Sequence, residues 1–163
     1  MRSKYINRLI KRFWGRCVST YKNRKDYFYF NDISTRWMDN DVYGHINNVT
    51  YYSYFDSIVN KYLIEEGGLN INQDQVVGFV VASNCEYFAP LSYPEKLESA
   101  LVVSHIGNSS VEYKIGIFKK DSADVSALGG FTHVFVSRET GKAVSIPTHL
   151  KNALYKIYST KKM

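Results

Sequence analysis

Thr35-Arg36-Trp37-Met38-Asp39-Asn40-Asp41-Val42-Tyr43-Gly44-His45-Ile46-Asn47-Asn48-Val49-Thr50-Tyr51-Tyr52-Ser53-Tyr54-Phe55 decides how this chain of 163 residues is read. Upstream of it, Tyr27 to Thr35 has the alternation of a strand. Downstream, Tyr51, Phe55, Ile58, Val59 and Tyr62 recur at helical spacing, with Tyr54 and Leu63 alongside, so a helix is expected from Tyr51 to Leu63. Gly67-Gly68 supplies its stop. Between strand and helix, Arg36–Asn48 forms a polar loop that collects Asp39, Asp41, His45, Asn47 and Asn48 around Gly44. A carboxylate held just before a helix N-terminus can attack or deprotonate, while the free N–H groups of the first turn can hold a developing oxyanion.

Working outward, the rest of the chain reads mainly as strands. Val76 to Phe88 is long, with an apolar first half of the kind found in strands covered on both sides. Pro90 and Pro94 bracket a turn. Lys96 to Ser104 alternates, with Leu97, Ser99, Leu101 and Val103 on one side. Gly107-Asn108 is a hairpin turn. Val111, Tyr113, Ile115 and Ile117 then alternate with polar residues and glycine. Asp121 to Asp124 turns the chain again. Val125 to Ser137 is the last strand, in which Gly129-Gly130 suggests a bulge or bend. Pro147 is placed to open a final helix through Ile157. One long helix against antiparallel hairpins is an α+β arrangement.

Composition excludes several classes. Residues 1–25 hold nine Lys and Arg and no acid, while the remaining 138 hold 12 Lys and Arg against 15 Asp and Glu. The formal charge of +6 therefore belongs to an N-terminal arm, and the domain lacks the basic surface that nucleic-acid binding needs. On a helical wheel, Ile6, Leu9, Ile10, Phe13, Trp14 and Cys17 share one face of that arm. Lys4, Arg8, Lys11, Arg12 and Arg16 fall on the other. The arm has the composition of a mitochondrial transit peptide, with cleavage expected between residues 17 and 27. The alternative is an uncleaved basic helix on an anionic membrane surface, in a cytoplasmic protein. The segmentation expected is 1–25 arm, 26–158 domain and 159–163 basic tail. No apolar run is long enough to span a membrane. Cys17 and Cys85 make no disulfide framework. His45, His105, His133 and His149 are too scattered for metal ligation, so neither a metal nor another cofactor is expected. No Gly-x-Ser-x-Gly elbow, P-loop or dinucleotide fingerprint occurs.

The loop also carries a resemblance. Starting at Asp39, the chain matches every fixed position of D-x-D-x-x-G-H-x-N-N-x-x-Y, through Asp41, Gly44, His45, Asn47, Asn48 and Tyr51. That pattern resembles the active-site signature of hotdog-fold thioesterases of the 4-hydroxybenzoyl-CoA thioesterase type. Cys85-Glu86-Tyr87-Phe88-Ala89-Pro90 echoes the family's central strand, and the likeness covers about residues 27–150. It implies a curved antiparallel sheet of about five strands wrapped around the long helix, in a homodimer or homotetramer with active sites at the subunit interface. It also implies an acyl-CoA thioesterase, with coenzyme A entering as part of the substrate. Asp41 is then the catalytic carboxylate, acting either as nucleophile, through a mixed anhydride, or as the base that activates water.

Gly44, His45, Asn47 and Asn48 become the substrate-binding and oxyanion group, with one asparagine capping the helix. Some branches of the family have His where this chain has Asn48, which leaves open which polar group assists Asp41. Tyr51 and Tyr52 are core or acyl-pocket wall. Asp39 is expected to be structural and to point away from Asp41, because two facing carboxylates oppose each other's ionisation. Lys119, Lys120, Arg138 and Lys142 are basic residues that could rim a CoA site or be simply solvated. An acyl-carrier-protein thioesterase and a non-catalytic acyl-binding or scaffold module in mitochondria are the alternatives.

Overall fold

The computed structural model describes residues 20–161. Of the amphipathic arm expected at residues 1–25, residues 1–19 lie outside them. Five strands form one antiparallel sheet: β1 (Tyr29–Ile33), β2 (Val76–Tyr87), β3 (Leu97–Ile106), β4 (Ser110–Lys119) and β5 (Ala127–Ser137). Their order across the sheet is β1-β3-β4-β5-β2, which leaves β1 and β2 at the edges. Helix α1 (Asn48–Glu65) lies along the concave face, and α2 (Thr148–Lys156) packs beside it.

Alternation explains the layers. On β4, Val111, Tyr113, Ile115 and Ile117 turn towards α1 and are fully buried. Leu97, Leu101 and Val103 of β3 and Phe131 and Phe135 of β5 join them. Helix α1 answers with Tyr51, Phe55, Ile58, Val59, Tyr62 and Leu63, all buried. Helix α1 starts three residues before the aromatic stripe because Asn47 caps it, its Oδ1 accepting from the Val49 N–H at 3.2 Å. It ends where Gly68 adopts φ +72° and Leu69 N–H donates to Leu63 O.

Four expectations are corrected. Strand β2 is not covered on both sides: it is an edge strand, and Phe79, Val80 and Val81 are 58%, 43% and 60% exposed. The Gly129-Gly130 pair makes no bulge, since both residues pair in register with β2 and β4. The pair serves close approach instead. A Cβ on Gly129 would stand 2.6 Å from the Phe55 ring, and one on Gly130 would strike the Asn84 amide. Register shifts occur at Val80/Ala82 and at Val103/His105. Pro147 sits at the cap of α2, one residue before its first turn.

The fourth correction concerns the domain's start. Residues 20–27 are a strap across the convex face of the sheet. Tyr21 and Tyr27 are buried there with Ala100, Val102, Phe118, Val125 and Leu128. Lys22 O accepts from Val125 N–H, Arg24 N–H donates to Ala123 O, and the Arg24 guanidinium meets Glu98 at 2.6 Å. Expected to begin at residue 26 and to end at residue 158, the packed domain includes this strap and the start of the tail. Ser159 N–H donates to Val103 O, and Lys161 Nζ donates to Thr20 O and to Asp26.

Candidate active site

The loop before α1 is built on Asp39. Its carboxylate is 1% exposed. Oδ2 accepts from Arg36 N–H at 2.7 Å and from the Tyr54 hydroxyl at 2.8 Å, while Oδ1 accepts from the Arg36 guanidinium at 3.0 and 2.9 Å. Burial alone would raise this carboxyl. The Arg36 amide, the Tyr54 hydroxyl and the Arg36 guanidinium outweigh it and hold the group below the usual carboxylate range. Asp39 O also accepts from Asn47 N–H, tying the loop's two ends together at the start of α1. This is a structural carboxylate, fully engaged in hydrogen bonds.

Asp41 is presented differently. Asn40 and Ile46 form a short antiparallel bridge, Asp41 N–H donates to His45 O, and Gly44, at φ +81°, donates to Asp41 O. Ile46 is buried and donates to Leu91 O, and Asn40 Oδ1 accepts from Tyr93 N–H. The turn is thus pinned at both feet, and Asp41 stands half-exposed near its tip. Its Oδ1 accepts from Tyr43 N–H at 2.8 Å; among the described residues nothing donates to Oδ2. A cleft of about 640 Å³ opens over it, lined by Trp37, Asn40, Asp41, Val42, Tyr43, Gly44 and Asn47.

The backbone donors can be narrowed. Gly44, Asn47, Val49 and Thr50 already donate their N–H groups within the loop and first turn, and Ile46 donates to Leu91 O. Those of His45 and Asn48 find no acceptor among the described residues, so they are the two available to a developing oxyanion. The side chains of His45 and Asn48 are exposed, and Asn47 is the cap. Gly44, Asn47 and Asp41 therefore share one cleft, while His45 and Asn48 lie outside its lining.

Tyr51 and Tyr52 lie on the first turn of α1, beneath the loop. Tyr51 is buried and meets Tyr87 edge-on at 5.1 Å; burial pushes its hydroxyl up to about 12. Tyr52 is half-buried and stacks on Phe131. Cys85 lies close by on β2, and burial raises its thiol, which keeps it protonated rather than a thiolate nucleophile. The residues missed in the sequence are Trp37, Asn40, Val42 and Tyr43. Trp37 is 79% and Tyr43 82% exposed. Large apolar side chains inside a polar loop were the available signal.

Three of the four basic candidates, Lys119, Lys120 and Arg138, are already engaged. Lys119 pairs with Glu95, and Lys120 bridges Asp32 and Glu98. Arg138 donates to the carbonyls of Asp74 and Ile71. Among the described residues, no three His, Cys, Asp or Glu gather as metal ligands, and no helix is long and apolar enough to cross a membrane.

The family model of the thioesterase-like superfamily matches residues 35–154, beginning one residue before the loop. The chain belongs to the thioesterase-like superfamily. Thioester hydrolysis is the class of chemistry that membership supports. Among solved relatives of this thioesterase-like chain, the PA5185 protein of Pseudomonas aeruginosa strain PAO1 is 48% identical. The match covers 86% of this chain and 98% of that one, at a TM-score of 0.83. YsmA of Bacillus subtilis (strain 168), described as uncharacterized, is 28% identical over 131 residues, 80% of this chain and 88% of its own. Slr0204 of Synechocystis, a 1,4-dihydroxy-2-naphthoyl-CoA thioesterase, is 16% identical. It covers 79% of this chain and 96% of its own at a TM-score of 0.71, a likeness of fold. The curved five-stranded sheet around one long helix is the hotdog fold.

Proposed function

We propose that the chain is an acyl-CoA thioesterase that hydrolyses an acyl-CoA to the free acid and CoA. One observation carries this reading. Asp41 holds one carboxylate oxygen on Tyr43 N–H and offers the other to the cleft, in a loop whose His45 and Asn48 N–H groups have no acceptor among the described residues. The thioester carbonyl oxygen is received by those two N–H groups, where the helix dipole also favours negative charge. The Asp41 carboxylate then works by one of two routes. It adds to the carbonyl carbon, giving an acyl–aspartyl anhydride that water opens, or it takes the proton from a water that adds instead. In both, the C–S bond breaks and CoA leaves as the thiolate. Free thiols ionise near pH 8.5, so a dedicated acid for the leaving group is not required.

The test is thiol release from a panel of acyl-CoAs and an acyl-carrier-protein thioester, with Asp41→Asn beside the parent. Loss of the carboxylate is expected to lower kcat by about 10²–10⁴ with the fold intact. An unchanged rate would remove Asp41 from the chemistry. A single turnover in ¹⁸O-water that leaves label in the Asp41 carboxylate identifies the anhydride route, with water adding at the aspartyl carbon.

The same reading includes a homodimer. Strand β2 is an edge with Phe79, Val80 and Val81 exposed, and an apolar edge of this kind is completed by another strand. The basic, acid-free composition of residues 1–25 supports a mitochondrial location.

A further inference from the structure

Capping α1 uses only half of the Asn47 side chain. Its Oδ1 accepts from Val49 N–H at 3.2 Å. A main-chain donor at that point requires the oxygen, so the end left over is the Nδ2 group, with its two hydrogens. Among the described residues nothing accepts from it. Asp and Ser cap helices as well as Asn does, through one oxygen and without that second function. What Asn adds at this cap is a donor with no partner in the described fold.

The loop sets this donor beside Asp41. The bridge between Asn40 and Ile46 is flanked by Asp41 N–H on His45 O and Asn47 N–H on Asp39 O, so residues 39–41 and 45–47 run as a short antiparallel ribbon. Alternation puts Asp39, Asp41, His45 and Asn47 on one side of it, and Asn40 and Ile46 on the other. Asp39 shows which way the first side faces, because its carboxylate reaches Tyr54 of α1. Asp41 and Asn47 are diagonal neighbours on that side, a relation that spans about 7 Å. Both line the same cleft. Asn40 lines it too, but its Oδ1 holds Tyr93 N–H and ties the turn down.

A thioester carbonyl oxygen offers two lone pairs, and the oxyanion formed when a nucleophile adds to its carbon offers three. The N–H groups of His45 and Asn48 account for two. We infer that the Asn47 Nδ2 group is the third donor to that oxygen, which makes Asn47 a catalytic residue as well as the helix cap. This rests on the acyl-CoA thioesterase reading. The Asp41 carboxylate, or the water it deprotonates, gives an electron pair to the carbonyl carbon. The π pair moves onto the oxygen, where the third donor engages as charge develops. The pair returns as the C–S bond breaks and CoA leaves as the thiolate. A donor that acts on the oxyanion and not on the bound thioester changes kcat and leaves KM alone.

The experiment compares the full chain with Asn47→Ser and Asn47→Ala. Serine keeps a capping oxygen and removes the NH2 group, whereas alanine removes both. The serine variant is expected to melt with the parent and the alanine variant below it. On the acyl-CoA that the parent turns over fastest, both should lose about 10²-fold in kcat, with KM changed by less than about threefold. A second series needs no turnover. It measures affinity for a CoA analogue in which a methylene and a trifluoromethyl ketone replace the thioester, and for an S-alkyl-CoA thioether. The ketone hydrates to a tetrahedral centre, while the thioether has no oxygen there. The preference for the ketone should fall at least about threefold in Asn47→Ser.

A serine variant with the parent's kcat overturns the third donor. So does one whose melting temperature drops in step with its activity, since that assigns Asn47 to the cap alone. If the parent hydrolyses no thioester, the enzyme reading falls. The oxygen site then stands if the ketone preference is lost in Asn47→Ser, and falls with that reading if the preference is absent or retained.

Discussion

His133 has no acid near it to welcome a charge. Tyr113, Phe131, Phe135 and the backbone of Gly78 surround it, and burial lowers its imidazole from the ordinary 6.5 to about 4. The folded chain therefore holds a neutral ring between those two values, where the unfolded chain takes a proton. Stability is complete above pH 6.5 and falls as pH drops towards 4, by about 3 kcal/mol in all for this one group. Urea unfolding at pH 7 and pH 4.5 is expected to show that loss, and His133→Leu to flatten it. Carboxylates held low, such as Asp39 and Glu98, also favour the folded state at higher pH. Their window lies below the unfolded carboxyl values, so it separates from the histidine's. A full acid loss retained in His133→Leu would assign the effect elsewhere.

The strap of residues 20–27 is the element whose role the sequence concealed. Composition groups Tyr21, Lys22 and Arg24 with the basic arm, because each is flanked by cations and polar residues. Only tertiary contacts reveal that Tyr21 belongs with Phe118 and Arg24 with Glu98. The helix and hairpins were legible because alternation and helical spacing record which face is buried, and Asp41, Gly44 and Asn47 were legible because a motif fixed their spacing. Strand β2 was misread for a related reason: an apolar run announces cover without saying whether its own chain provides it.

Removing the strap tests its weight. Compared with a chain starting at Thr20, one starting at Asp26 exposes Phe118 and leaves Glu98 with Lys120 alone. The loss is at least about 3 kcal/mol, or roughly 6–12 °C in Tm. Equal melting temperatures for the two chains would show that the strap merely rests on the sheet.

At the scale of the whole molecule, the two faces of the sheet have different uses. The concave face is filled by α1 and α2, and the convex face is partly closed by the strap. Of the two edge strands, β2 is the one that exposes a row of apolar side chains, Phe79, Val80 and Val81. A second copy joined there would continue the sheet. Replacing Phe79 and Val81 together with lysine is expected to turn a dimer into monomers in light scattering and to weaken acyl-CoA turnover in step. A parent that is monomeric at micromolar concentration would reject the pairing.

The bond between Lys161 Nζ and Thr20 O, 2.9 Å long, has a topological meaning. The two ends of the described residues touch on one surface, so residues 20–161 almost close a ring. A short peptide joining Lys161 to Thr20 would allow the ring to be opened in the Gly107-Asn108 turn with every strand pairing retained. The order of elements would then be permuted while the Asp41 loop and its helix stayed contiguous. The architecture is indifferent to where the chain is cut, provided that the cut spares that one junction.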